Sequence, residues 1–149
     1  MKKLFIYYSL TGNGDYLASL LQEKGYELRK VVEKKKMPKS FFLLMMVGGF
    51  RAGVGSKGKL VDFDDDISSF DEILIGSPIW NGRLAPAING VLSRLDLKDK
   101  KARFLIYSGS GEGEKAKEKI HKLFGDVDIL FLQEPKKHPE ELEKLKVLE

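Results

Sequence analysis

Ser9-Leu10-Thr11-Gly12-Asn13-Gly14 sets two hydroxyls, an amide side chain and two glycines between an apolar run and an amphipathic one. Such a segment can hold a phosphate. Backbone N–H groups at a helix N-terminus converge on the anion, and the helix dipole favours its charge without Lys or Arg. The same residues would equally make a tight turn in which Asn13 or Asp15 caps the helix. A second segment, Gly76-Ser77-Pro78-Ile79-Trp80-Asn81-Gly82, carries the one tryptophan of the chain. A Trp in a loop bounded by Pro and Gly can stack on a flat ring, or simply pack over the edge of a sheet. Asn81 and Gly82 both tolerate positive φ, so the backbone there can turn or rearrange at low cost. A third segment, Ser108-Gly109-Ser110-Gly111-Glu112-Gly113, alternates glycine with small polar or acidic residues. It reads as main chain that can approach a ligand closely, or as a flexible connection.

Other chemistries are poorly provided for. The chain has no cysteine, which excludes disulfide scaffolds, thiolate metal sites and Cys nucleophiles. His121 and His138 are the only histidines, and no carboxylate or serine is spaced to pair with them, so neither a metal site nor a catalytic triad is expected. Gly53-Val54-Gly55-Ser56-Lys57-Gly58-Lys59-Leu60 approaches a nucleotide P-loop but has Leu60 where a magnesium-binding hydroxyl is needed. A phosphoryl-accepting receiver domain would need acidic residues at the end of the first strand, where Ser9 and Thr11 stand. No catalytic side chain is singled out.

The elements that must position the three segments are short apolar runs alternating with amphipathic ones. Strands are expected over 4–8, 26–32, 73–76, 104–107 and 127–132, and helices over 15–24, 84–95, 114–124 and 139–148. Strands this apolar are buried on both faces, as in parallel sheets, and their alternation with helices implies a doubly wound α/β sheet. In such sheets ligands bind outside the carboxyl ends of the strands, where strand order reverses. The three segments leave the first, third and fourth of these strands at that edge.

Together these features resemble the flavodoxins, whose phosphate-loop signature, Ser/Thr-x-Thr-Gly-Asn-Thr, stands here as Ser9-Leu10-Thr11-Gly12-Asn13-Gly14. The resemblance covers nearly the whole chain. It implies a three-layer α/β sandwich around a five-stranded parallel sheet in the order 2-1-3-4-5, with FMN at the switch point. It implies that Ser9, Thr11, Gly12, Asn13 and Gly14 hold the FMN phosphate. Trp80 would stack on the isoalloxazine ring, with Ser77, Pro78, Ile79, Asn81 and Gly82 around it. Ser108, Gly109, Ser110, Gly111 and Gly113 would meet the pyrimidine side. The sequence departs from the family at Gly14, which lacks the last hydroxyl, and at Asn81, where many relatives have glycine. The function implied is electron transfer, to a redox partner protein or a small-molecule acceptor. The alternatives are an FMN-dependent NAD(P)H:quinone or dye oxidoreductase on the same fold, and an interaction module that has lost flavin.

Length and composition fit this reading. The 149 residues, 42% hydrophobic and 32% charged, suit a single domain over 1–149. Phe41 to Phe50 is the longest apolar run and too short to span a bilayer, and Met1-Lys2-Lys3 leads into a run too short for a signal peptide core. A cytoplasmic protein with no stable membrane insertion is expected. The net charge of +4 is unevenly spread: residues 1–60 carry 12 basic and 4 acidic groups, residues 61–99 carry 3 and 8. Lys34-Lys35-Lys36 lacks the interleaved aromatics of a nucleic-acid surface, so no nucleic-acid partner is expected. Residues 37–60 are atypical for the crossover helix they replace, being apolar and then Gly-rich. They would pack on the sheet or, through 41–50, dock a partner. Asp62, Asp64, Asp65 and Asp66, on the approach to the third strand, would lower the flavin potential if they lay near the ring.

Overall fold

Successive strand residues face opposite sides of a sheet, and the central strands use both sides. The computed structural model describes residues 1–33 and 63–149. β1 (Lys3–Tyr7), β2 (Tyr26–Lys30), β3 (Glu72–Trp80), β5 (Lys101–Ser108) and β6 (Asp128–Gln133) form a parallel sheet in the order β2-β1-β3-β5-β6, and β4 (Arg83–Leu84) pairs antiparallel with the end of β3. The expected order of five parallel strands is therefore present, with a short sixth strand added. The expectations for 37–60, including the docking run 41–50 and the near P-loop at 53–60, lie outside the described residues, as do Lys34 to Lys36 and Asp62.

Leu4, Ile6 and Tyr8 join Ile73, Ile75, Phe104 and Ile106 in one core. Phe5 and Tyr7 join Leu74, Leu105, Tyr107 and Leu132 in the other. Each fully buried aliphatic or Phe side chain removed from water contributes about 1.5–3 kcal/mol, so both helical layers are held mainly by this alternation. α2 (Pro86–Leu92) and α3 (Glu114–Phe124) cover the first face through Ile88, Val91, Ala116 and Ile120. α1 (Asn13–Glu23) covers the second through Leu17, Ala18 and Leu21. Gly76 is required on β3 by close approach: a methyl group there would stand 2.7 Å from the ring of Phe5, which stacks on Tyr7 at a centroid distance of 4.9 Å.

Three expectations about the elements are corrected. α1 begins at Asn13, because Gly12, at φ +98°, is the residue that turns the chain into the helix. α2 spans Pro86–Leu92 rather than 84–95, because Leu84 is drawn into β4. The closing segment Pro139–Leu148 is a 3₁₀ helix rather than an α-helix. Its apolar residues Leu142, Leu145 and Leu148 are three apart, so a three-residue turn stacks them in one row against the second core. Arg103 Nη1 donates to the carbonyl of Val147 at 2.9 Å, and Lys3 Nζ to that of Leu148 at 3.5 Å, which satisfies two carbonyls at the end of this helix.

Candidate functional site

The carboxyl ends of β1, β3 and β5 bring the three sequence segments to one edge. Tyr7 is in register with Gly76, and Pro78 with Tyr107. The N–H of Tyr8 continues the ladder one step further, donating to the carbonyl of Gly76 at 3.2 Å.

The first segment passes directly from β1 into α1. Ser9 Oγ accepts the N–H of Asp15 at 3.2 Å, and the first helical bond runs from Tyr16 N–H to the carbonyl of Gly12 at 3.0 Å. Among the described residues, the N–H groups of Thr11, Gly12, Asn13 and Gly14 have no protein acceptor. Four donors at one helix N-terminus, beside the exposed side chain of Thr11, form a cradle for an anion. The N-cap residue is Gly12, which has no side chain to offer, and the first-turn N–H of Asp15 goes to Ser9, so neither Asn13 nor Asp15 takes the capping role open to it. Asn13 Oδ1 instead accepts the N–H of Lys136 at 3.2 Å.

Gly14 is buried beneath this cradle. A Cβ on it would stand 2.7 Å from Ser9 Cβ, 2.7 Å from the Tyr107 hydroxyl and 3.0 Å from the Tyr8 carbonyl. The departure from the signature is thus matched by Tyr107, whose ring fills the space under the loop and whose hydroxyl donates to the Tyr8 carbonyl. Burial pushes the Tyr107 hydroxyl well above the ordinary tyrosine range, and the nearby Asp15 charge adds to the effect. Tyr7 is raised in the same direction, first by burial and then by Asp15.

The second segment is a hairpin rather than an open loop. β3 runs on through Ser77 to Trp80, and Ile79 and Trp80 pair with Leu84 and Arg83. The two-residue connection has Asn81 at φ +52° and Gly82 at φ +75°. Positive φ at both positions is the signature of a type I′ turn, whose twist matches that of the strands and which Asn-Gly favours. Ser77 is fully buried; its hydroxyl donates to the Pro78 carbonyl at 2.8 Å and accepts the Ala85 N–H at 3.2 Å. It therefore braces the base of the hairpin. Pro78 and Ile79 are half-buried, and so is Trp80, whose ring stands edge-on to Tyr8 with centroids 5.7 Å apart and planes at 81°.

The third segment is closed on itself. Ser108 Oγ donates to the Glu112 carbonyl at 3.0 Å, and Ser110 Oγ accepts the Glu112 N–H at 3.3 Å. Gly109 is exposed, and its carbonyl accepts from Gln133 Nε2 at 3.2 Å. Gly111 lies against Gln133, and buried Gly113 packs between Phe131 and Ile79. The N–H of Ala116 donates to the Gly82 carbonyl at 3.1 Å, which joins the start of α3 to the hairpin.

The structure thus gathers all three segments but divides their residues. Ser77, Ser108 and Gly113 are buried and fasten the loops. Thr11, Asn81, Gly109 and Ser110 are exposed at the edge. Tyr8, Tyr107 and Lys136 were not singled out in the sequence. Tyr8 and Tyr107 read as strand residues, and Lys136 follows β6, a strand whose carboxyl end belongs to the same edge. Asp64 and Asp66 are tied to β2, their carbonyls accepting Arg29 Nη1 at 3.0 and 2.7 Å. Among the described residues no cluster of His, Cys, Asp or Glu could hold a metal ion, and no helix is long and apolar enough to cross a membrane.

No protein-family model matches the chain, and no curated protein sequence matches it significantly. Solved structures do match. A Bacteroides eggerthii protein provisionally described as a flavoprotein superposes with a TM-score of 0.79 at 19% identity, over 98% of this chain and 96% of that one. A flavoprotein from Lactobacillus acidophilus in complex with FMN superposes with a TM-score of 0.71 at 18% identity, over 93% and 97% of the two chains. The apo-form of the flavoprotein from that organism gives 0.59 at 21% identity, over 87% and 88%. At these identities the matches establish the fold, which is flavodoxin-like and three-layered.

Proposed function

We propose that this chain binds FMN at the carboxyl edge of its sheet and works as an electron-transfer protein, exchanging electrons with a redox partner protein or a small-molecule acceptor. The observation that carries the reading is the set of acceptorless N–H groups at Thr11, Gly12, Asn13 and Gly14. They suit a phosphate held by main chain at a helix N-terminus, and the same fold in the L. acidophilus flavoprotein is seen in complex with FMN.

The residues fit the group. Ser9 Oγ accepts the Asp15 N–H and keeps its own proton to donate, and the amide nitrogen of Asn13 is likewise a donor while its oxygen is engaged. Trp80 supplies half-buried aromatic surface at the same edge, anchored by the hairpin and by its edge-on contact with buried Tyr8. Gly109 and Ser110 supply exposed main chain at the same edge. FMN, when bound, supplies one- and two-electron transfer; the protein contributes binding, orientation and exclusion of water.

Reconstitution tests the reading. Purified protein titrated with FMN should quench flavin fluorescence and turn yellow; a folded, colourless protein that takes up no FMN overturns it. Rapid steady-state oxidation of NAD(P)H with a quinone or dye would select the oxidoreductase instead.

A further inference from the structure

β6 leaves the sheet through a sharp turn. Glu134, at φ +30°, donates its N–H to the Ser108 carbonyl at 3.0 Å and accepts the N–H groups of Lys137 and His138 at 2.8 and 3.0 Å. The turn is therefore tied to the third site segment, and the Lys136 N–H ties it to Asn13 at the start of α1. The Lys136 side chain crosses Gly12, where a Cβ would stand 3.1 Å from its Nζ and 3.7 Å from its Cδ. The ammonium group thus lies over the one glycine that opens the cradle.

The charges around it are already engaged. Glu134 pairs with Lys137 at 3.3 Å, Glu141 with Lys144 at 2.6 Å, and Asp15 of the first helical turn with Lys30 at 2.8 Å. Among the described residues Lys136 Nζ has no carboxylate within 4.0 Å. An exposed cation held at its backbone, with no carboxylate partner among the described residues and four N–H donors beside it, has the chemistry of a phosphate ligand.

Resting on the FMN reading above, we propose that Lys136 supplies a positive charge to the phosphate and makes the site select the phosphorylated flavin over riboflavin. The main-chain cradle sets where the phosphate sits. Lys136 adds a charge that a neutral ligand end would not use.

The test compares FMN and riboflavin dissociation constants for the wild type, Lys136→Gln and Lys136→Arg at low and high ionic strength. Lys136→Gln should weaken FMN about three- to tenfold at low salt, leave riboflavin unchanged and flatten the salt dependence of FMN binding, since an exposed pair is screened. Lys136→Arg should recover most of the loss. Equal FMN affinity in Lys136→Gln, with wild type binding FMN, overturns the lysine assignment alone. Parallel losses of FMN and riboflavin overturn it too, by showing that the side chain acts through packing on the loop. Wild type binding neither flavin overturns the FMN reading together with this one.

Discussion

The hydroxyl of Tyr107 donates to the backbone carbonyl of Tyr8, reaching from the end of β5 past β3 to the end of β1. This contact closes the floor of the candidate site. Both residues sit where parallel strands run out, and the bond joins two strand ends across the strand between them. Removing the donor as Tyr107→Phe should cost about 0.5–1.5 kcal/mol, the net contribution of one hydrogen bond. Urea denaturation measures it, and an unchanged midpoint would show that water replaces the hydroxyl.

Gly14 fits only because it has no side chain. Gly14→Ala should destabilise by about 1–3 kcal/mol, since its methyl meets Ser9 Cβ and the Tyr107 hydroxyl at 2.7 Å. The double variant Gly14→Ala, Tyr107→Phe should recover part of the combined cost, because the phenyl ring lacks one of the two clashing atoms. Strict additivity in this cycle would disprove the contact.

The hairpin makes a different demand. Asn81 at φ +52° and Gly82 at φ +75° should accept glycine and reject β-branched residues. Asn81→Gly is expected to change stability by less than about 0.5 kcal/mol, and Asn81→Val to cost about 1–2 kcal/mol. Trp80 fluorescence reports the site directly: its emission should shift in Asn81→Val and stay in place in Asn81→Gly.

Alkaline pH should unfold the protein through its buried tyrosines. Tyr107 and Tyr7 are raised above the ordinary value of 10.0, chiefly by burial, and Tyr26 is raised by burial and by its hydrogen bond to the Glu72 carboxylate. A tyrosine raised in the folded state stays protonated where the unfolded chain ionises. Its stabilising contribution is therefore complete below pH 10 and is lost as pH rises above it. Urea midpoints should fall from pH 10 upward, and less steeply in Tyr26→Phe. An identical slope in that variant would remove Tyr26 from the account.

For the ligand, Trp80→Ala should weaken FMN binding by about 1–3 kcal/mol, taking aromatic–base stacking as the guide. Unchanged affinity would mean that the Trp80 ring serves only to pack on Tyr8. Thr11→Ala should weaken FMN more than riboflavin; equal losses would move Thr11 away from the phosphate. Isothermal titration with both flavins reads the two variants together.

The alternation of apolar runs was enough to place a parallel sheet and the edge where a ligand would sit, because both depend on the local period that neighbours in sequence supply. The strand order followed instead from the family resemblance carried by the Ser9 to Gly14 signature. Contacts between distant residues decided the rest. Ser77 reads as a loop hydroxyl but is buried by the pairing of Trp80 with Arg83. Gly14 reads as a lost ligand, and its packing against Tyr107 is visible only across the sheet. Lys136 lies 123 positions from Asn13 and meets it because β6 ends at the same edge as β1. Local patterning determined which elements form and where they end; only the folded sheet decided which side chains those ends share, because parallel strands bring together residues that the sequence keeps far apart.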